Sequence, residues 1–171
     1  DPQTPRLPEE FAGRKPVAAL EAFSMAVIGA VASQVPAVKP QIGCFERYGS
    51  AGYAAYERVV AAARAAGLIV IGDVKRGDIG STAARYAAGH LRPDGPDAIT
   101  VNGYFGTDGL DPFVNAALDA GKGIFVLVRT SNPSAAQVQD LADADGKRVY
   151  EHVAEMVAEL GSRKELVGEM G

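Results

Sequence analysis

The chain of 171 residues has one cysteine and no tryptophan. A lone Cys44 excludes an internal disulfide framework and fits a reducing compartment, so a cytoplasmic protein is expected. No run reaches the roughly 20 apolar residues that a membrane helix needs, and no membrane partner is expected. The opening "DPQTPRLPEE" has neither the charged start nor the apolar core of a signal peptide. It also lacks a starting Met, which implies an N-terminus that is processed, truncated or partly unseen. Positive charge is in deficit. Lys and Arg number 17 against 21 Asp and Glu, a net charge of −4, and no basic block stands out. A nucleic-acid surface is therefore not expected, although a small anion needs only a local cation. His is scarce as well: His90 and His152 lack metal-ligand spacing, so no metal site is expected.

What is present is core. The chain is 47% hydrophobic and 22% charged, which excludes disorder and fits one domain over 1–171. Short Val- and Ile-rich runs recur as "PAVKPQI" (36–42), "LIVIGDV" (68–74), "DAITVNGY" (97–104) and "GIFVLV" (123–128). Each is apolar on successive residues, as strands covered on both faces are. Helices are predicted between them, over 16–32, 54–66 and 81–90, then from Asp111 as cap with Pro112 in the first turn, and over 146–162. Gly67 and Gly121 stand where C-caps belong. The order is α-β-α-β-α-β-α-β-α, an α/β chain with a parallel sheet and right-handed crossovers. An open doubly wound sheet and a (β/α)8 barrel both fit this pattern.

Polar residues gather at strand C-terminal ends. They are Lys39, then Asp73, Lys75 and Asp78, then Asn102, then Arg129 to Asn132. In both architectures that edge binds ligands. In "LIVIGDVKRGDIGST" (68–82) four charges fall within six positions behind a buried strand. In an extended segment Asp73 and Lys75 face the same way, and Gly77 turns the chain toward Asp78. An alternating Lys-Asp-Lys-Asp set would keep both lysines charged. A held ammonium can protonate a carbanion. A fixed carboxylate beside a substrate carboxylate opposes it in the ground state and ceases to once carbon dioxide leaves. The competing reading is an ordinary rim network of ion pairs. Elsewhere, Cys44 and the tyrosines Tyr48, Tyr53 and Tyr56 read as packing residues. His90 reads as a helix-end cation or solvent-facing, His152 as a surface residue, and Arg129 as a candidate anion ligand. "GYFGTDG" lacks a dinucleotide or P-loop spacing and reads as a flexible loop at the site's edge.

"DVKRGDIGST" is similar to the D-x-K-x-x-D-I-x-x-T signature of orotidine 5′-phosphate decarboxylases. "VKPQIGCFERYG" (38–49), "TVNGYFGTDGLDPF" (100–113) and "FVLVRTSNPSAAQVQDL" (125–141) resemble further segments of that family's type 2 branch, although Gly103 stands where a Pro is usual. "DP" at the start resembles the end of its first strand. The resemblance implies a (β/α)8 TIM barrel, represented here by roughly its first two thirds. Most of the first strand would precede Asp1. Strands six to eight, with the phosphate-binding residues, would follow Gly171. It further implies a homodimer that converts orotidine 5′-monophosphate to uridine 5′-monophosphate in pyrimidine biosynthesis, without metal or organic cofactor. By motif position Lys75 would protonate C6 and Asp73 would face the substrate carboxylate. Lys39 would hold Asp73 and a ribose hydroxyl, and Asp78 would reach the partner's site. Ile79 and Thr82 would contact the nucleotide, Ser131 the pyrimidine and Asp1 the ribose, with Asn102 a further binding candidate. Two alternatives remain: a related magnesium-dependent sugar-phosphate decarboxylase or aldolase, and a non-catalytic barrel fragment.

Overall fold

A computed structural model describes residues 2–162 of the chain. Its sheet has four parallel strands in sequential order, β1 Ala37–Val38, β2 Ile69–Arg76, β3 Ala98–Asn102 and β4 Gly123–Leu127. The register of the first pair is Ala37 opposite Ile69 and Val38 opposite Val70. The helices are α1 Pro16–Val31, α2 Gly43–Glu46, α3 Gly49–Ala65, α4 Gly80–His90, α5 Gly106–Ala120 and α6 Val149–Gly161. The alternation expected from the apolar runs is present, with short α2 and three short 3₁₀ segments added among the described residues. By contacts the described chain divides into two compact units, residues 2–74 with 90–99, and residues 75–89 with 100–162.

In the first unit α1 packs on α3. Leu20 and Ile28 of α1 and Ala55, Tyr56, Val59, Val60 and Ala63 of α3 are buried, as are Ile42, Phe45 and Val70. A two-pronged ion pair, Arg58 to Glu21 with both contacts at 2.7 Å, ties the helices at their exposed side. Two further contacts fix the start of β2. The Asp97 carboxylate accepts the Val70 N–H at 2.8 Å, and the Asp97 N–H donates to the Val70 carbonyl at 2.8 Å. Helix α3 ends where expected, because Gly67 adopts a left-handed φ of 80° that a Cβ would resist. Tyr56 is buried edge-on to Phe45, as a packing tyrosine should be. Cys44 is half-buried beside Tyr48. His90 departs from expectation. It does end a helix, but it is 6% exposed and lies against the Tyr53 ring, so it does not face solvent.

The second unit centres on α5. Leu110, Phe113, Val114 and Ala117 are its buried face, spaced three and four apart as a helix requires. Gly121, at φ 63°, caps it as expected. Its start is five residues earlier than the expected cap Asp111. The chain leaves β3 and turns at Gly106, whose φ is 77°, so the helix begins there. Pro112 consequently lies inside the helix rather than in its first turn. The same finding corrects the "GYFGTDG" reading: from Gly106 onward this stretch is helix, not a flexible loop. Gly109 explains why. An added Cβ there would approach the Phe105 Cβ to 2.6 Å, so Phe105 folds back onto the first turn. At the start of α6 the Glu151 carboxylate accepts the Arg148 N–H at 2.7 Å.

Candidate active site

Asp73 is built into β2 with its charge buried. The residue is 3% exposed. Its N–H donates to the Pro40 carbonyl at 3.0 Å, and its carbonyl accepts the Ile42 N–H at 3.3 Å. The segment following β1 is thereby laid against Asp73, with Gln41 directly opposite. That pairing delivers two donors to one carboxylate oxygen. Lys39 Nζ reaches Asp73 Oδ2 at 2.7 Å and Gln41 Nε2 reaches the same oxygen at 2.9 Å. The Gln41 amide is itself oriented, because its oxygen accepts the Gly43 N–H at 3.1 Å. A buried carboxylate without donors would be driven to protonate. Here one cation and one amide donate to it. The Lys39–Asp73 pair was expected from the strand-end positions. Gln41 was not, and the only sequence signal for it is its place two residues beyond Lys39.

Lys75 stands two residues beyond Asp73, but not in extended backbone. Its φ is 46°, in the left-handed region that non-glycine residues avoid. Such a conformation costs on the order of 1–3 kcal/mol and is found where surroundings over-determine it, commonly at functional sites. The alternation rule used to orient Lys75 from Asp73 therefore does not extend to it. Its backbone N–H donates to the hydroxyl of Thr100, 2.9 Å away on β3. The side chain lies toward solvent.

The loop after β2 carries Asp78, whose Oδ1 accepts the Ile79 N–H at 2.8 Å. Gly77 serves close approach rather than a turn, since an added Cβ would sit 3.0 Å from the Asn102 Cβ. The left-handed residue here is Gly80, at φ 50°. Ile79, 59% exposed, and Thr82 lie exposed at the start of α4. Asn102 ends β3 and accepts the Tyr104 N–H at 3.0 Å, closing a local turn. Ser131 is exposed in the loop after β4. That loop is clamped beside it: Gln139 accepts the Thr130 N–H at 2.8 Å and donates to the Thr130 hydroxyl at 2.9 Å. Asp1 lies outside the described residues.

Arg129 does not stand ready for an anion. Its guanidinium grips Asp140 through two contacts of 2.9 Å and stacks over Tyr150. The hydrogen bond from Arg129 holds the Asp140 carboxyl below its ordinary range. His152 is exposed, as expected, and pairs with Asp143 at 2.7 Å. Among the described residues no group of three or more His, Cys, Asp or Glu is placed to hold a metal ion.

Known proteins place these residues in context. The model of the Orotidine 5′-phosphate decarboxylase / HUMPS family matches residues 17–170. An orotidine 5′-phosphate decarboxylase of Rhodopirellula baltica is 49% identical over 154 residues, covering 86% of this chain and 51% of its own. A crystal structure of a candidate orotidine 5′-phosphate decarboxylase from Streptomyces avermitilis is 47% identical with a TM-score of 0.78, over 90% of this chain and 53% of that one. The Leishmania donovani OMP decarboxylase structure is 37% identical with a TM-score of 0.75, over 84% and 55%. The structural neighbours are TIM barrels, of which this chain matches about half. The chain likewise spans about half the length of the curated relatives it matches. With nearly its whole length matched by one family model, and with that family's barrel as its structural match, the chain belongs to the orotidine 5′-phosphate decarboxylase / HUMPS family.

Proposed function

We propose that this chain carries the catalytic end of an enzyme that decarboxylates orotidine 5′-monophosphate to uridine 5′-monophosphate. The observation that carries the reading is the buried Asp73 carboxylate, held by Lys39 and Gln41 and followed two residues later by a lysine in strained backbone. The substrate's C6 carboxylate lies against Asp73, an anion that cannot relax into water. Opposition between two carboxylates raises the bound substrate and vanishes as carbon dioxide departs, so it favours the transition state over the ground state. The C6–carboxyl bond breaks and its electron pair stays on C6. The Lys75 ammonium donates its proton to that carbon, and the resulting amine regains a proton from solvent. Lys39 balances Asp73 and binds a ribose hydroxyl.

Ser131 bonds the pyrimidine, and Ile79, Thr82, Asn102 and Asp1 line the nucleotide. Residues 1–171 form one partial barrel domain, and the working enzyme is a cytoplasmic homodimer in which Asp78 completes the partner's site. The chemistry needs no metal ion or organic cofactor.

The test is the loss of orotidine monophosphate absorbance, followed with the full-length protein. Wild type is expected to turn over and Lys75→Ala to lose at least about a thousandfold in kcat, as removal of a proton donor and its charge does. A silent wild type would end the decarboxylase reading. An active Lys75→Ala would end the proton-donor role alone. Turnover abolished by a chelator and restored by magnesium would favour the sugar-phosphate enzymes instead.

A further inference from the structure

We infer that Thr100 is a positioning residue for Lys75, an inference that rests on the proton-donor reading of that lysine. Among the described residues Lys75 is the one non-glycine with a positive φ. Its N–H donates to a side chain, the Thr100 hydroxyl, 2.9 Å away. Thr100 is 7% exposed, so this is a buried hydroxyl spent on a backbone group. A β-branched side chain has few χ1 states, which makes the acceptor a fixed point. Fixing the Lys75 N–H there holds the backbone in the conformation from which the ammonium leaves the strand. The ammonium must meet one carbon, and small errors in such placement cost large factors in rate.

A bland role predicts something different. If Thr100 were only a satisfied core hydroxyl, its loss would lower stability and leave the chemistry alone. If it positions Lys75, loss of the acceptor lowers kcat while substrate binding is kept.

The experiment uses full-length wild type, Lys75→Ala, Thr100→Val and Thr100→Ser. For each, kcat and KM for orotidine monophosphate are measured, together with hydrogen exchange and the HN–Hα coupling of the Lys75 amide by NMR. Thr100→Val keeps the shape and removes the acceptor. Its kcat is expected to fall roughly ten- to a hundredfold with KM nearly unchanged, and its Lys75 amide to exchange faster. Thr100→Ser keeps the hydroxyl and is expected to recover most of both.

Wild-type kcat in Thr100→Val, beside a dead Lys75→Ala, would overturn the inference and leave the decarboxylase reading intact. If wild type itself shows no turnover, the decarboxylase reading fails. The Lys75 amide then decides alone: altered in Thr100→Val it supports the positioning, unaltered it overturns it. Should Thr100→Val not fold, a folded Thr100→Ser that loses as much kcat as Lys75→Ala would overturn the inference too.

Discussion

Asp73 brings a full negative charge to a position with almost no water, and two donors on one oxygen make that tolerable. The donors are not equal. The Lys39 side chain is 52% exposed and can be replaced in part by solvent. Gln41 is half-buried and held at its far end by the Gly43 N–H. Replacing Gln41 with Met keeps the length and removes the amide. A hydrogen bond to a charged group is worth about 1.5–3 kcal/mol. Gln41→Met is therefore expected to lower kcat/KM by roughly ten- to a hundredfold. Steady-state kinetics on the full-length enzyme checks this, and an unchanged kcat/KM would mean that the Gln41 amide is dispensable.

A second residue-scale prediction concerns packing. Gly52 lies in α3, where Ala would gain about 1 kcal/mol of helix propensity. An added Cβ, however, would fall 2.0 Å from the Phe45 carbonyl oxygen, a backbone atom that cannot swing away. Overpacking of this kind costs about 1–3 kcal/mol or more, so the clash wins. Gly52→Ala is expected to lower stability by urea denaturation.

Elements obey the same contest between local preference and tertiary contact. The expected start of α5 at Asp111 followed good local signals, a capping carboxylate before a proline. The helix begins at Gly106 because Phe105 packs back on Gly109 and a left-handed glycine makes the turn. Strand positions and the Lys39–Asp73 pair were legible because they follow from apolar runs and strand ends. Gln41 and the left-handed Lys75 were not, since an amide donor beside a strand end and a positive φ at a non-glycine residue leave no mark in the apolar pattern. The burial of His90 and the pairing of Arg129 were not legible for a related reason. Tyr53 covers one and Asp140 occupies the other, and periodicity reports neither.

The loop after β4 also yields a pH prediction. The hydrogen bond from Arg129 is the first cause of the depressed Asp140 carboxyl, with the charges of Arg129 and Arg148 adding to it. As pH falls, the unfolded chain takes up this proton before the folded chain does. The contribution to stability is therefore full above the ordinary value of 3.8 and is lost as pH falls through the lower folded value. Urea midpoints of wild type and Asp140→Asn are expected to differ at neutral pH and to converge in strong acid. The difference should be small, because the pair is screened by solvent. A gap that persists in strong acid would assign the effect to packing.

At the scale of the whole molecule, the proposed division of labour between subunits makes a prediction that no single-subunit scheme shares. Lys75 and Asp78 lie three residues apart, on opposite sides of Gly77. If both served one site, Lys75→Ala and Asp78→Ala proteins would each be defective, and mixing them would restore nothing. If Asp78 completes the partner's site, a mixed dimer holds one site with both residues lost and one with both intact. Random exchange makes about half the dimers mixed, each with one good site of two, so a two-fold assembly should recover about a quarter of wild-type activity. The two full-length variants are unfolded together, refolded at equal concentration and assayed against each refolded alone. Recovery near a quarter supports the shared site. Recovery no greater than the sum of the separate variants would place Asp78 within its own subunit's site, or remove it from the chemistry.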